Sequence, residues 1–116
     1  MSDESLTLLE RNAITHALAG SEMWTRQLLE QLSKLSVSSR EETGAGFYTY
    51  FSEKADVIPV EIPPEAYSVA PQYFATHPAI PGGALFLVWL RDGRIECLEA
   101  ATGTATRPDD SGFVFS

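Results

Sequence analysis

The feature that most constrains how this chain can fold is the dipeptide Asp92–Gly93, which separates two runs typical of β-strands. Residues 85–91 are almost all apolar, and residues 94–100 alternate between apolar and polar side chains. Asp-Gly between such runs is a strong hairpin signal, because a type I′ turn needs a positive φ at both central residues. The sequence therefore predicts a β-hairpin with strands at 84–91 and 94–100.

The register of this hairpin can be counted outward from the turn, beginning with Arg91 opposite Arg94. Side chains alternate between the two faces of a strand, so each position is assigned to one face. The face predicted to form the main core contains these cross-strand pairs: Leu90 with Ile95, Val88 with Cys97, and Phe86 with Glu99. The opposite face is predicted to carry four surplus apolar residues: Leu85, Leu87, Trp89 and Leu98. Those residues need a cover, which can be a loop, the tail of the chain or another subunit.

Length and composition limit the class of protein. With 116 residues, 44% of them hydrophobic, the chain is long enough to bury a core, and we expect a single domain over residues 1–116. One cysteine forms no internal disulfide, the N-terminus is polar, and no apolar run approaches the roughly 20 residues that span a bilayer. These features predict a soluble cytoplasmic protein that does not bind membranes. A formal net charge of −8 disfavours nucleic acid and favours basic partners.

Apolar spacing predicts an α+β fold in which an N-terminal helical hairpin packs on a mainly antiparallel sheet of about four strands. The predicted elements are helices at about 5–19 and 22–37, and strands at about 47–52, 57–62, 84–91 and 94–100. Residues 38–46 are predicted to form a loop, and residues 53–56 a link between two strands. Pro59 confines the strand at 57–62 to a sheet edge or a bulge, because proline donates no ladder hydrogen bond.

The segment 63–83 is predicted to be a proline-rich crossover that leads into the last hairpin. Proline suits the first position of a helix, so short helical turns are expected after Pro64 and after Pro71. Residues 102–112 are small, polar and acidic, which predicts a flexible loop. The apolar end, residues 113–115, is expected to pack back on the domain or to pair as a short strand.

Residues capable of chemistry are few, and they form no catalytic or metal-binding pattern. Cys97 is expected to point into the core and to behave as a small hydrophobic residue. His16 and His77 lack partners at ligand spacing, so neither a metal nor another cofactor is predicted. Among the acidic residues, which are expected to be solvated, Glu99 is the exception, because the predicted register aims its carboxylate inward beside Phe86.

Without a catalytic constellation, the sequence predicts a non-enzymatic protein–protein interaction module, of the inhibitor or immunity type or self-associating. The segment 63–83 supplies aromatic and rigid proline residues that suit a contact surface. The candidate binding residues are Tyr67, Tyr73, Phe74, His77, Trp89, Glu96 and Glu99. The alternative is a small-molecule-binding or catalytic domain, in which residues 63–83 form a lid over a pocket with His77 and Glu99 as its polar groups.

Overall fold

In the computed structural model, which describes residues 4–52, 57–104 and 107–115, the fold is built on one five-stranded antiparallel sheet. The elements along the chain are α1 (Leu8–Ala17), α2 (Met23–Glu30), the 3₁₀-helix η1 (Gln31–Lys34), β1 (Val37–Glu42), β2 (Gly46–Phe51), α3 (Glu65–Ser68), β3 (Gln72–His77), β4 (Ile80–Arg91), β5 (Arg94–Ala101) and the 3₁₀-helix η2 (Asp110–Gly112). The strands lie in the order β1-β2-β5-β4-β3. The predicted α+β class is confirmed, with five strands in place of four. Among the described residues, no helix is long and apolar enough to cross a bilayer.

The predicted hairpin is present, with β4 and β5 as its strands. Its two loop residues have the positive φ angles that a type I′ turn needs, 50° at Asp92 and 75° at Gly93. The register follows the prediction for the first two pairs only, Arg91 with Arg94 and Leu90 with Ile95. The next pair is Trp89 with Cys97, which leaves Glu96 as an extra residue in β5. This is a β-bulge, which inserts one unpaired residue into one strand of a pair.

Because of the bulge, each residue of β5 beyond Glu96 lies on the face opposite to the one predicted. Val88 pairs with Leu98, and Phe86 with Ala100, so the predicted pairs of Val88 with Cys97 and of Phe86 with Glu99 are wrong. Leu98 is fully buried in the core, although it was expected on the opposite face. Cys97 and Glu99 therefore lie on the face that also carries Leu87 and Trp89. Cys97 is nevertheless buried there, as expected of its side chain, with 6% of its surface exposed.

The strand predicted at 47–52 is present as β2, but its neighbour in the chain is β1 and not the strand predicted at 57–62. Residues 37–42, expected to end a helix and begin a loop, form β1 and pair with β2. The second helix accordingly ends as the 3₁₀-helix η1 at Lys34. Residues 57–62 lie outside the sheet, held to the β4–β5 turn by a 2.8 Å hydrogen bond from Val60 N to Gly93 O. The predicted link at 53–56 lies outside the described residues.

The crossover contains one of the two expected helical turns and an unexpected strand. A helical turn, α3, follows Pro64 as predicted, although Pro64 is its N-cap and not its first residue; the prediction of a helical turn after Pro71 is wrong. Residues 72–77 instead form β3, which pairs with β4. In the segment predicted to be flexible, residues 110–112 form η2, and residues 105–106 lie outside the described residues. The apolar end pairs as expected, through a bridge between Thr76 and Val114.

The helices cover one face of the sheet, called here the inner face. Helix α1 packs against β3 and β4, and its residues Ala13 and Ile14 have no exposed surface. It begins at Thr7 in a capping box, in which the Thr7 hydroxyl accepts from Glu10 N and the Glu10 carboxylate accepts from Thr7 N. The inner face buries these strand residues: Phe47, Thr49, Phe86, Val88, Leu90, Ile95, Leu98 and Ala100. The main core is therefore where the hairpin pattern predicted it, apart from the residues that the bulge exchanges.

The carboxylate of Glu10 is fully buried between α1 and the sheet, and each of its oxygens accepts hydrogen bonds. Arg40 of β1 donates to it from Nε at 2.8 Å and from Nη2 at 3.0 Å, and the Thr49 hydroxyl donates at 2.8 Å. Burial alone would raise the pKa of Glu10, but these hydrogen bonds, the amide of Thr7 and the charge of Arg40 together lower it. Glu10 therefore remains ionised in the fold and ties α1 to two strands.

Candidate functional site

The face of the sheet opposite the helices, called here the outer face, carries a regular array of aromatic and aliphatic side chains. Residues paired across antiparallel strands lie side by side on one face, about 4.5–5.5 Å apart at their Cβ atoms. The pairings define three rows across the sheet: Phe74, Leu85 and Ala101; Gln72, Leu87, Glu99, Tyr48 and Glu41; Trp89, Cys97, Tyr50 and Ser39.

The apolar side chains of the outer face keep contact with solvent. Along β4 the burial alternates, so that Phe86 and Val88 are buried while Leu85, Leu87 and Trp89 are half-buried. Tyr48 and Tyr50 of β2 are also half-buried. Within the described part of the chain, Cys97 alone among the apolar members of the three rows falls into the buried class. The surplus apolar face expected from the hairpin is thus present, with Leu98 removed from it by the bulge.

Two carboxylates on the outer face accept hydrogen bonds from aromatic side chains. Trp89 Nε1 donates to Glu99 Oε1 at 2.9 Å, and Tyr48 is the cross-strand neighbour of Glu99. The Tyr50 hydroxyl lies 3.4 Å from Glu41 Oε1. The rings of Tyr48 and Tyr50 stack with centroids 5.7 Å apart and an angle of 13° between their planes. The aromatic groups are therefore held in place by contacts within the face.

Burial and neighbouring carboxylates raise the pKa values of three side chains on the outer face. Burial, followed by the charges of Glu96 and Glu99, raises the pKa of Cys97 to about 12. The pKa of the Tyr48 hydroxyl is raised by burial and then by Glu99, and that of Tyr50 by burial and then by Glu41. A thiol that stays protonated at neutral pH is a poor nucleophile. The raised pKa of Cys97 thus gives no support to a catalytic role for its thiol.

Three of the seven predicted site residues, Phe74, Trp89 and Glu99, lie together on the outer face. Glu99 does not point inward beside Phe86 as expected, because the bulge turns it to the opposite side. Glu96 is the bulged residue itself, is exposed, and lies 3.6 Å from Arg91 Nη1. Glu96 is therefore close to the turn end of this face.

The other three predicted residues are occupied by contacts elsewhere. The Tyr67 hydroxyl accepts from Gly93 N at 3.0 Å, and the Tyr73 ring packs against His16 with a centroid distance of 5.0 Å. His77 Nδ1 accepts from Ala79 N at 3.0 Å, so Nε2 carries the proton and donates to Asp109 O at 2.8 Å. These side chains support the turn, the core and the end of β3, and the structure does not bring them to the outer face.

Tyr48 and Tyr50 are the members of this surface that the sequence prediction missed. The alternation in residues 47–51 already places both tyrosines on one side of a strand. What the sequence does not show is that β2 pairs directly with β5, and so brings this side next to Cys97 and Glu99.

Phe74 contributes to the outer face and also packs against the backbone of β4. Gly83 of β4 has a φ of 73°, and a Cβ atom there would lie 2.2 Å from the Phe74 ring. The ring therefore covers the backbone of a glycine across the strand pair, while 54% of the Phe74 surface remains exposed. Substituting Phe74 would disturb the sheet as well as the surface, so it is a poor position for testing binding.

Two clefts lie on other parts of the molecule. An open groove of about 940 Å³ runs between α2 with η1 and residues 57–64, and a second cleft of about 250 Å³ lies beside the β4–β5 turn. Neither cleft contains His77 or Glu99, and residues 72–77 form a strand where a lid was expected. No group of three or more His, Cys, Asp or Glu side chains suited to a metal gathers among the described residues.

Comparison of this chain with protein-family models, with curated proteins and with solved structures found no match.

Proposed function

We propose that this chain is a protein-binding module and that the outer face is its contact surface. The observation that carries the proposal is the set of half-buried apolar side chains in the three rows, with Leu87 and Trp89 at their centre. Four strands about 4.8 Å apart, covered over five residues of about 3.4 Å each, give a patch on the order of 300 Å². This footprint includes the polar members of the rows, Gln72 and Glu99, beside the apolar side chains. The largest apolar patch on a monomer commonly measures a few hundred Å² and is often functional.

The shape and the residue types of the outer face favour a macromolecular partner over a small ligand. Small molecules bind in concave pockets that enclose most of their surface, whereas one face of an open sheet has no enclosing walls. Tyr and Trp are enriched at the centres of protein interfaces, where they add large apolar area and a polar tip. The alternative, a pocket beneath residues 63–83, has less support because neither cleft contains its expected polar groups.

Site-specific photo-cross-linking tests this proposal. We would replace Leu87, at the centre of the outer face, with a benzophenone amino acid in the full chain and irradiate cells of the source organism. The matched control carries the same group at Leu8, which lies on α1 with 74% of its surface exposed. We expect a discrete protein adduct from position 87 that is absent from position 8.

The partner is then identified from the adduct by mass spectrometry, purified, and bound to the unmodified chain by calorimetry. We expect Leu87→Ser to weaken that binding at least tenfold while the circular dichroism spectrum stays unchanged. Equal adducts from positions 87 and 8, or no adduct from either, would refute the outer face as a binding surface.

A further inference from the structure

The charges on the outer face restrict which protein can cover it. Glu99 lies in the middle row between Leu87 and Tyr48, and Glu41 lies at the end of the same row. No Lys or Arg occurs in the three rows. Arg91 and Arg94 lie at the turn end of the hairpin, where Arg91 is 3.6 Å from Glu96 and 3.9 Å from Asp92. The middle of the face therefore combines apolar surface with uncompensated negative charge.

A second copy of the chain fits this surface poorly. A two-fold contact through the outer face places the same patch on both sides, so that Glu99 and Glu41 of each copy enter one interface. The three rows of either copy offer no cation to pair with them, and the nearest cation on this face, Arg91 at the turn end, already lies 3.6 Å from Glu96. Burying an unpaired carboxylate is strongly unfavourable. The net charge of −8 on each chain adds repulsion at longer range.

A guanidinium group fits the same surface well. Glu99 Oε1 takes one hydrogen bond from the Trp89 indole, and a carboxylate accepts at about four sites, so acceptor capacity remains. A planar guanidinium can donate two hydrogen bonds to a carboxylate and stack on an aromatic ring at the same time, which an ammonium cannot do. Tyr48 and Trp89 supply rings on the two sides of Glu99, and Leu85 and Leu87 supply apolar surface beside it.

Building on the proposed function, we infer that the partner is a basic protein that places an arginine side chain on Glu99 between Tyr48 and Trp89. Apolar side chains of the same partner segment cover Leu85 and Leu87. The affinity comes from the apolar contacts, and the selectivity for a basic partner comes from Glu99 and Glu41.

The test is selection of a phage library of random 12-residue peptides on the biotinylated full chain, followed by fluorescence anisotropy with the synthetic consensus peptide. We expect the consensus to contain arginine next to aliphatic residues and to carry a net positive charge. We expect the affinity to fall at least tenfold in the variant Glu99→Gln, and equally when citrulline replaces the arginine of the peptide. We also expect it to fall at least tenfold when the salt concentration is raised from 50 to 300 mM. The matched control is Glu30→Gln, which removes the same charge from an exposed position at the end of α2 and should leave the affinity unchanged.

The outcomes separate this inference from the proposed function. Selected peptides that lack arginine but lose binding in Leu87→Ser would overturn the inference and leave the outer face as a binding surface. If no selected peptide responds to Leu87→Ser, both fail together. A dimer in light scattering that Leu87→Ser dissociates would make a second copy the occupant and overturn the inference.

Discussion

Replacing Arg40 by methionine removes the cation that neutralises a buried carboxylate, and its effect on stability can be worked out from the structure. Arg40 donates twice to Glu10, at 2.8 and 3.0 Å, and once to Glu4, at 2.6 Å. Breaking a fully buried ion pair by removing one partner costs about 3–5 kcal/mol. Because 27% of the Arg40 side chain is exposed, water can reach the site, and we reduce the expected loss to about 2–4 kcal/mol.

This loss is large for a chain of this size. The entropy of unfolding of about 2.1 cal/mol/K per residue gives about 0.24 kcal/mol/K for 116 residues. A loss of about 2–4 kcal/mol then lowers the melting temperature by roughly 8–17 °C. Urea unfolding at pH 7, followed by circular dichroism, measures the free energy directly. The matched variant Arg11→Met makes the same charge change at a half-buried position of α1 and should cost less than about 0.5 kcal/mol.

The pH dependence tests the reason for the loss. The pKa of Glu10 is lower in the fold than its ordinary value of 4.5, so the ion pair contributes its full stability above about pH 4.5. That contribution disappears as the pH falls through the lowered pKa and the carboxylate takes up a proton. In Arg40→Met the buried carboxylate has lost its cation, so its pKa rises and it takes up a proton at a higher pH than in wild type. The stability difference between wild type and Arg40→Met should therefore be largest near neutral pH and shrink as the pH is lowered. A loss under 1 kcal/mol at pH 7, or a loss that does not change with pH, would refute this account of Glu10.

Two further predictions concern the β4–β5 hairpin. Gly93→Ala should destabilise the protein by about 3 kcal/mol or more, because φ is 75° and a Cβ atom would lie 2.6 Å from Val60 O. The control is Gly44→Ala, where φ is 85° but no atom lies near the added Cβ, so the loss should be only about 1–2 kcal/mol. Similar losses in urea unfolding for the two variants would contradict this. The Cys97 thiol, whose pKa is raised to about 12, should fail to react with a disulfide reagent at pH 8 in the native protein and react at once in 8 M urea. Rapid native reaction would show that the thiol is accessible and ionised.

The turn and the α+β class could be predicted because their signals are local. Asp92 and Gly93 adopt the backbone angles that their residue types favour, and the apolar residues of the two helical segments recur at helical spacing. The bulge at Glu96 has no such signal, since an exposed glutamate fits a regular strand equally well. The assignment of Cys97 and Glu99 to a face therefore could not be made from the sequence.

The two missed strands, β1 and β3, are both at the edges of the sheet. Edge strands are often polar or flanked by proline, which discourages pairing with other chains. β1 contains Ser38, Ser39 and Arg40 followed by two glutamates, and β3 follows Pro71 directly. The sequence predicts a loop for most of β1 and a helical turn at β3, because the stability of each strand comes from pairing with another strand, which local propensity does not reveal.

The bulge has a consequence for how the surface of this protein can change. In β5 Glu96 has no partner in the ladder, and the residues on its two sides, Ile95 and Cys97, pair with the adjacent residues Leu90 and Trp89 of β4. A chain that lacked Glu96 could therefore form a regular ladder with the same later pairs, Val88 with Leu98 and Phe86 with Ala100. A single-codon deletion at this position would thus straighten the hairpin and keep every remaining β5 residue on its present face.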